Sequence, residues 1–138
     1  KYLSDLGIPL NTDSTLKGQT VFLAERCAEL MNDNIITDRT IFDVMAFTMN
    51  AKSIGHYDKE IFESYAKEFI REYDYIFYIS PHGIPIEDNG VRETDEHYRD
   101  IIDFSITTLI KRYGHMAKNI ETIKGNTKDR IQQILSYL

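Results

Sequence analysis

Apolar positions recur along this chain at two periods, and each period predicts its own kind of element. From 15 to 31, Val21, Ala24, Ala28 and Met31 fall at helical spacing, with Phe22 and Leu23 widening the stripe, and Asn32-Asp33-Asn34 breaks the helix. A helix over about 40–51 presents Ile41, Val44, Met45 and Thr48 on one face. Another, started by Asp58 and running to Tyr73, turns Ile61, Phe62, Tyr65, Phe69 and Ile70 inward. Two more follow at about 94–113, using Ile101, Ile102, Ile106 and Leu109, and at about 127–137, burying Ile131, Ile134, Leu135 and Leu138. A short helix around 2–6 stops at Gly7 with Pro9 beyond it, and 11–14 form a capping loop.

Between the helices lie short runs with a different texture. Ile35-Ile36-Thr37 is β-branched and leads into Asp38-Arg39, which predicts a buried strand ending in a charged pair. Tyr75-Ile76-Phe77-Tyr78-Ile79 is continuously apolar, as expected of a strand covered on both faces. Ile120 to Ile123 is a third strand, closed by Gly125-Asn126. Strands alternating with helices imply parallel pairing through crossovers, hence an α/β fold. Three strands are few for such a sheet.

Composition narrows the function. At 138 residues the chain is read as one domain, 1–138. The formal charge is −6, and the 16 Lys and Arg are scattered, so no clustered positive surface for nucleic acid is present. A small polyphosphate needs only a few placed arginines and remains compatible. No apolar run reaches membrane-spanning length, and Lys1-Tyr2-Leu3-Ser4-Asp5 carries no secretory-signal pattern. Cys27 is the sole cysteine, read as a small core residue in a reducing, cytoplasmic setting.

Three clusters can carry chemistry. Asp38 and Arg39 stand where a parallel strand would deliver them to its carboxyl end, the ligand-binding end of open α/β sheets. Asp38 there is either a general base toward a hydroxyl or a second-shell group for magnesium, and Arg39 a two-pronged phosphate holder. Equally, Asp38 can cap the next helix and pair with Arg39 for structure alone. In the second cluster, Arg92 and Arg99 are seven apart in a segment following a Gly- and Pro-containing loop, so about 81–100 reads as a lid region. Two guanidiniums converging on a triphosphate would offset charge developing in transfer; the alternative is a solvated face in which Arg99 pairs with Asp95 or Asp103. Third, Asn126, Thr127 and Arg130 follow the last strand and either contact a base or form a plain strand-to-helix turn. His56, His82, His97 and His115 show no metal-ligand spacing.

Taken in order, Lys1-Tyr2-Leu3-Ser4-Asp5-Leu6-Gly7, Ile36-Thr37-Asp38-Arg39-Thr40-Ile41-Phe42-Asp43, Tyr73 to Tyr78, Asn89-Gly90-Val91-Arg92-Glu93-Thr94-Asp95, Tyr98-Arg99 and Asp103 resemble the P-loop kinases of the ribosylnicotinamide kinase and nucleoside kinase group. The resemblance covers nearly the whole chain. It implies a P-loop NTPase-like parallel sheet with flanking helices and ATP-dependent transfer, with magnesium, to a small nucleoside-like acceptor. It places Asp38 and Arg39 at the acceptor, Arg92 and Arg99 in the lid, and Asn126 and Thr127 beside the adenine. The family's Gly-x-x-x-x-Gly-Lys-Ser/Thr loop is missing from the sequence. The resemblance therefore implies a sheet truncated at its N-terminal side, with a gap between 35–36 and 75–79. Either residues ahead of Lys1 in the natural protein or another element fills it. Without the loop the chain by itself is expected to be inactive, and a non-catalytic nucleotide- or protein-binding module is the alternative.

Overall fold

The computed structural model describes residues 14–81 and 96–138. The helix and lid-loop residues expected around 2–6 and at 82–95, Arg92 included, lie outside that range. The elements run α1 (Leu16–Glu29), α2 (Ile41–Met49), α3 (His56–Ala66), a 3₁₀ turn (Lys67–Glu72), β1 (Ile76–Ile79), α4 (Glu96–Tyr113), a 3₁₀ turn (Gly114–Met116), β2 (Ile120–Ile123) and α5 (Thr127–Tyr137).

α2 is the spine. Six of its nine residues are buried, among them Ile41, Phe42, Val44 and Met45, as a helix that is apolar on nearly all sides must be. Its start is fixed by a capping box: the Phe42 amide donates to Thr40 Oγ1 at 3.1 Å, and the Thr40 amide donates to Asp43 Oδ2 at 2.8 Å. α1, α3 and α4 pack around it, with Leu23, Phe62, Ile102 and Leu109 completing one core. Two polar side chains tie this core together. Gln19 Nε2 donates to Thr48 Oγ1 at 3.0 Å and to the Val44 carbonyl at 3.3 Å, joining α1 to α2. Asn50 Nδ2 donates to Ser105 Oγ at 2.8 Å and ties the end of α2 to α4.

β1 and β2 pair in parallel, with Ile76 opposite Ile120 and Ile79 opposite Ile123. α4 lies in the connection between them, the expected strand–helix–strand unit. Among the described residues the architecture is thus helix-rich and loosely α/β, with a two-stranded parallel sheet.

The strand expected at 35–37 is not formed. That segment carries no regular secondary structure, and Ile36 is 94% exposed. A β-branched run becomes a strand only where a neighbour supplies ladder hydrogen bonds, and among the described residues no strand lies alongside it. Three other expectations shift. Gly55, not Asp58, caps α3, and that helix tightens into a 3₁₀ turn after Ala66. Val21, Met31, Ile61, Tyr65 and Ile101 are exposed although the helical spacing placed them inside. α5 has no buried residue: Ile131, Leu135 and Leu138 are exposed, because the helix lies at the margin, beside β2 and away from the α2 core.

Candidate functional site

One large cleft, about 1470 Å³, opens along β1. Tyr75 to Ile79 and residues 32–40 line it. Residues of α4, among them Tyr98, Arg99, Ile102 and Asp103, reach it as well, and Ile134 and Leu138 border it from α5. β2 does not line it, so the cleft follows the edge of β1 that carries no partner strand among the described residues.

Asp38, Arg39 and Arg99 all line this cleft. The Asp38-Arg39 turn is built by its neighbours. Arg26 Nη1 donates to the Asp38 carbonyl at 3.0 Å, and Thr37 Oγ1 donates to the Arg39 carbonyl at 3.0 Å. Thr40 then enters the capping box of α2. Arg39 itself has φ +76°, a left-handed conformation that side chains with a Cβ seldom adopt. Its guanidinium lies 5.5 Å from the centre of the Phe47 ring, which in turn lies 6.4 Å from the Tyr98 ring. A cationic and aromatic chain thus runs from the turn, across α2, to α4.

Asp43 lines the cleft beneath this turn. Burial pushes its carboxyl upward, against the Thr40 amide and the Arg39 charge, which pull it down. On the β1 side, Tyr78 donates a short hydrogen bond to Asp103 Oδ1, pinning β1 to α4. Burial and then Asp103 raise the Tyr78 phenol to about 12, so it stays a neutral donor. Burial also pushes up the Tyr73 phenol, which lines the same cleft.

The structure thus gathers three of the four sequence-predicted catalytic residues at one opening, the fourth, Arg92, lying outside the described range. It does not bring Asn126, Thr127 and Arg130 there. Asn126 Oδ1 accepts the Asp129 amide at 2.9 Å as the cap of α5, and Arg130 Nη2 donates to Thr127 Oγ1 at 3.4 Å. Gly125, at φ +97°, makes the tight turn ahead of them. Sequence reasoning missed Arg26, Phe47 and Tyr78. Their spacings read as ordinary helix and strand faces, and nothing in sequence announces a bond from Arg26 to a carbonyl on a distant turn.

Arg39 and Arg99 bring two planar guanidiniums to the cleft, a side-chain type that pairs with carboxylate and phosphate oxygens. Among the described residues no group of three acidic, histidine or cysteine side chains is arranged to hold a metal. Magnesium is often held by one or two carboxylates together with phosphate oxygens, a part that Asp38 can fill. Burial, followed by Glu72, raises the Cys27 thiol, so it is not an activated nucleophile. Among the described residues no helix is long and apolar enough to cross a membrane. Compared with protein-family models, curated proteins and solved structures, the chain matches none of them.

Proposed function

We propose that this chain is the acceptor-side and lid portion of an ATP-dependent phosphotransferase acting on a small nucleoside-like hydroxyl, on a P-loop NTPase-like fold. The observation that carries the reading is that the Asp38-Arg39 pair and Arg99, distant in sequence, line one cleft along β1, on the side away from β2. Asp38 accepts the proton of the acceptor hydroxyl. Arg39 holds the phosphate being transferred, and Arg99, with Arg92, offsets charge on the phosphate oxygens. Asn126, Thr127 and Arg130, past the end of β2, keep the adenine-side role that the resemblance gives them. Magnesium-ATP, when bound, supplies the phosphoryl group and neutralises part of its charge.

The glycine-rich lysine loop that grips the phosphates in such enzymes is not in the sequence, so the chain by itself is inactive in this reading. A phosphoryl-transfer assay compares it with a form extended upstream of Lys1. The extended form transfers phosphate to a ribonucleoside-type acceptor, and Asp38→Asn and Arg92→Ala each lower its turnover by about a hundredfold. Unchanged rates in both variants would remove the site assignment. A second reading, a binding module without chemistry, is favoured by the apolar walls of the cleft, where Ile35, Ile36, Ile79 and Leu138 are all exposed. Saturable ligand binding with no transfer by the extended form would select it.

A further inference from the structure

The turn ahead of α2 is held more firmly than a connection requires. Arg39 sits at φ +76°, and a side chain keeps that strained conformation only where its surroundings over-determine it. Two tethers act on successive carbonyls: Arg26 Nη1 donates to that of Asp38 and Thr37 Oγ1 to that of Arg39, each at 3.0 Å. Arg26 is itself braced, with Nη2 2.9 Å from Glu29 Oε1 and its side chain only 17% exposed. At the far end of Arg39 the guanidinium rests over Phe47. Backbone and side chain of Arg39 are therefore both fixed, and the anchor is a residue of α1.

From these contacts we infer that Arg26 is a positioning residue: it clamps the Asp38 carbonyl so that Arg39, strained and stacked on Phe47, presents its fork to phosphate in the cleft. This rests on the phosphotransferase reading and adds to it a residue that does not itself line the cleft. The planar fork of Arg26 serves the Asp38 carbonyl and Glu29 at once. A lysine has a single ammonium for both, and a glutamine is too short to bridge them. The substitution series is thereby graded.

The test is dicarbonyl labelling of arginines in the 138-residue chain, read peptide by peptide with and without inorganic tripolyphosphate. Tripolyphosphate slows the labelling of Arg39 in the unaltered chain. The concentration giving half protection rises about tenfold in Arg26→Gln and by less in Arg26→Lys, with the melting temperature nearly unchanged. Arg39→Gly, which suits a left-handed residue, melts no lower than the unaltered chain; a lower melting temperature would overturn the strain on which the clamp is argued. Equal half-protection in the unaltered chain and Arg26→Gln overturns the inference and leaves the functional reading standing. An equal loss of protection at Arg99 makes the effect general and overturns it too. No protection at either Arg39 or Arg99 in the unaltered chain overturns the phosphate-binding reading itself, and the inference falls with it.

Discussion

Tyr78 joins the sheet to the helix beside it through a single phenol. Its hydroxyl donates to Asp103, and folding holds its proton more tightly than the unfolded chain does, raising the group from 10 to about 12. A raised pKa means that this contribution to stability is complete below pH 10 and fades as pH climbs toward about 12. Partial exposure screens the effect, so it is worth about 1 kcal/mol. Tyr78→Phe is expected to lose about 1 kcal/mol at neutral pH and to flatten the alkaline limb. Denaturant titrations at a series of pH values from neutral to alkaline measure both. Arg39 is the other residue whose conformation carries information, since its left-handed φ marks the turn that chemistry would use.

At the scale of the element, α2 shows why helices were legible in the sequence. Its apolar periodicity was plain, but the sequence offered Asp38 as the cap, whereas the structure gives that place to Thr40, joined to Asp43 in a capping box. Asp43 carries a cost, because burial raises its carboxyl. Asp43→Ala removes the box and is expected to cost about 1 kcal/mol. Asp43→Asn keeps an oxygen for the Thr40 amide without burying a charge, and is expected to cost less. The sign follows from the raised pKa: the penalty on the charged form disappears as pH falls through the Asp43 pKa, so the unaltered chain gains on Asp43→Asn upon acidification. Thermal melts of the two variants at neutral and acid pH check this. β1 and β2 were legible as well, the second to the residue. The strand expected at 35–37 was not, because a strand depends on a partner that local texture does not reveal. The sidedness of α5 failed for a related reason. Its stripe of Ile131, Leu135 and Leu138 is real, but the core it would cover lies elsewhere.

For the whole molecule, the cleft concentrates what the sequence showed only in pieces. The Asp38-Arg39 pair and Arg99 lie far apart along the chain and line one opening, and their residue types alone suggested phosphate chemistry. The bracing from Arg26 and Phe47 was invisible, since it depends on how α1 and α2 pack against the turn. The same cleft leaves apolar surface in water, with Ile36 the most exposed of its lining isoleucines at 94%. Such surface promotes self-association. Ile36→Lys is expected to raise the concentration at which the chain sediments as a single species. It should change stability by less than about 0.5 kcal/mol, since this side chain buries almost nothing. Sedimentation velocity and a denaturant titration read the two outcomes.

The parallel register has a kinetic meaning. Ile76 meets Ile120 only after the whole of α4 has been laid down between them, whereas α2 touches α1 and α3, its neighbours in the chain. Closing the longer span forfeits more chain freedom before any ladder bond is gained. The contacts of α2 with α1 and α3 are therefore expected to form ahead of the strand pair, an order that pulsed hydrogen exchange during refolding reads from the amides of α2 and β1.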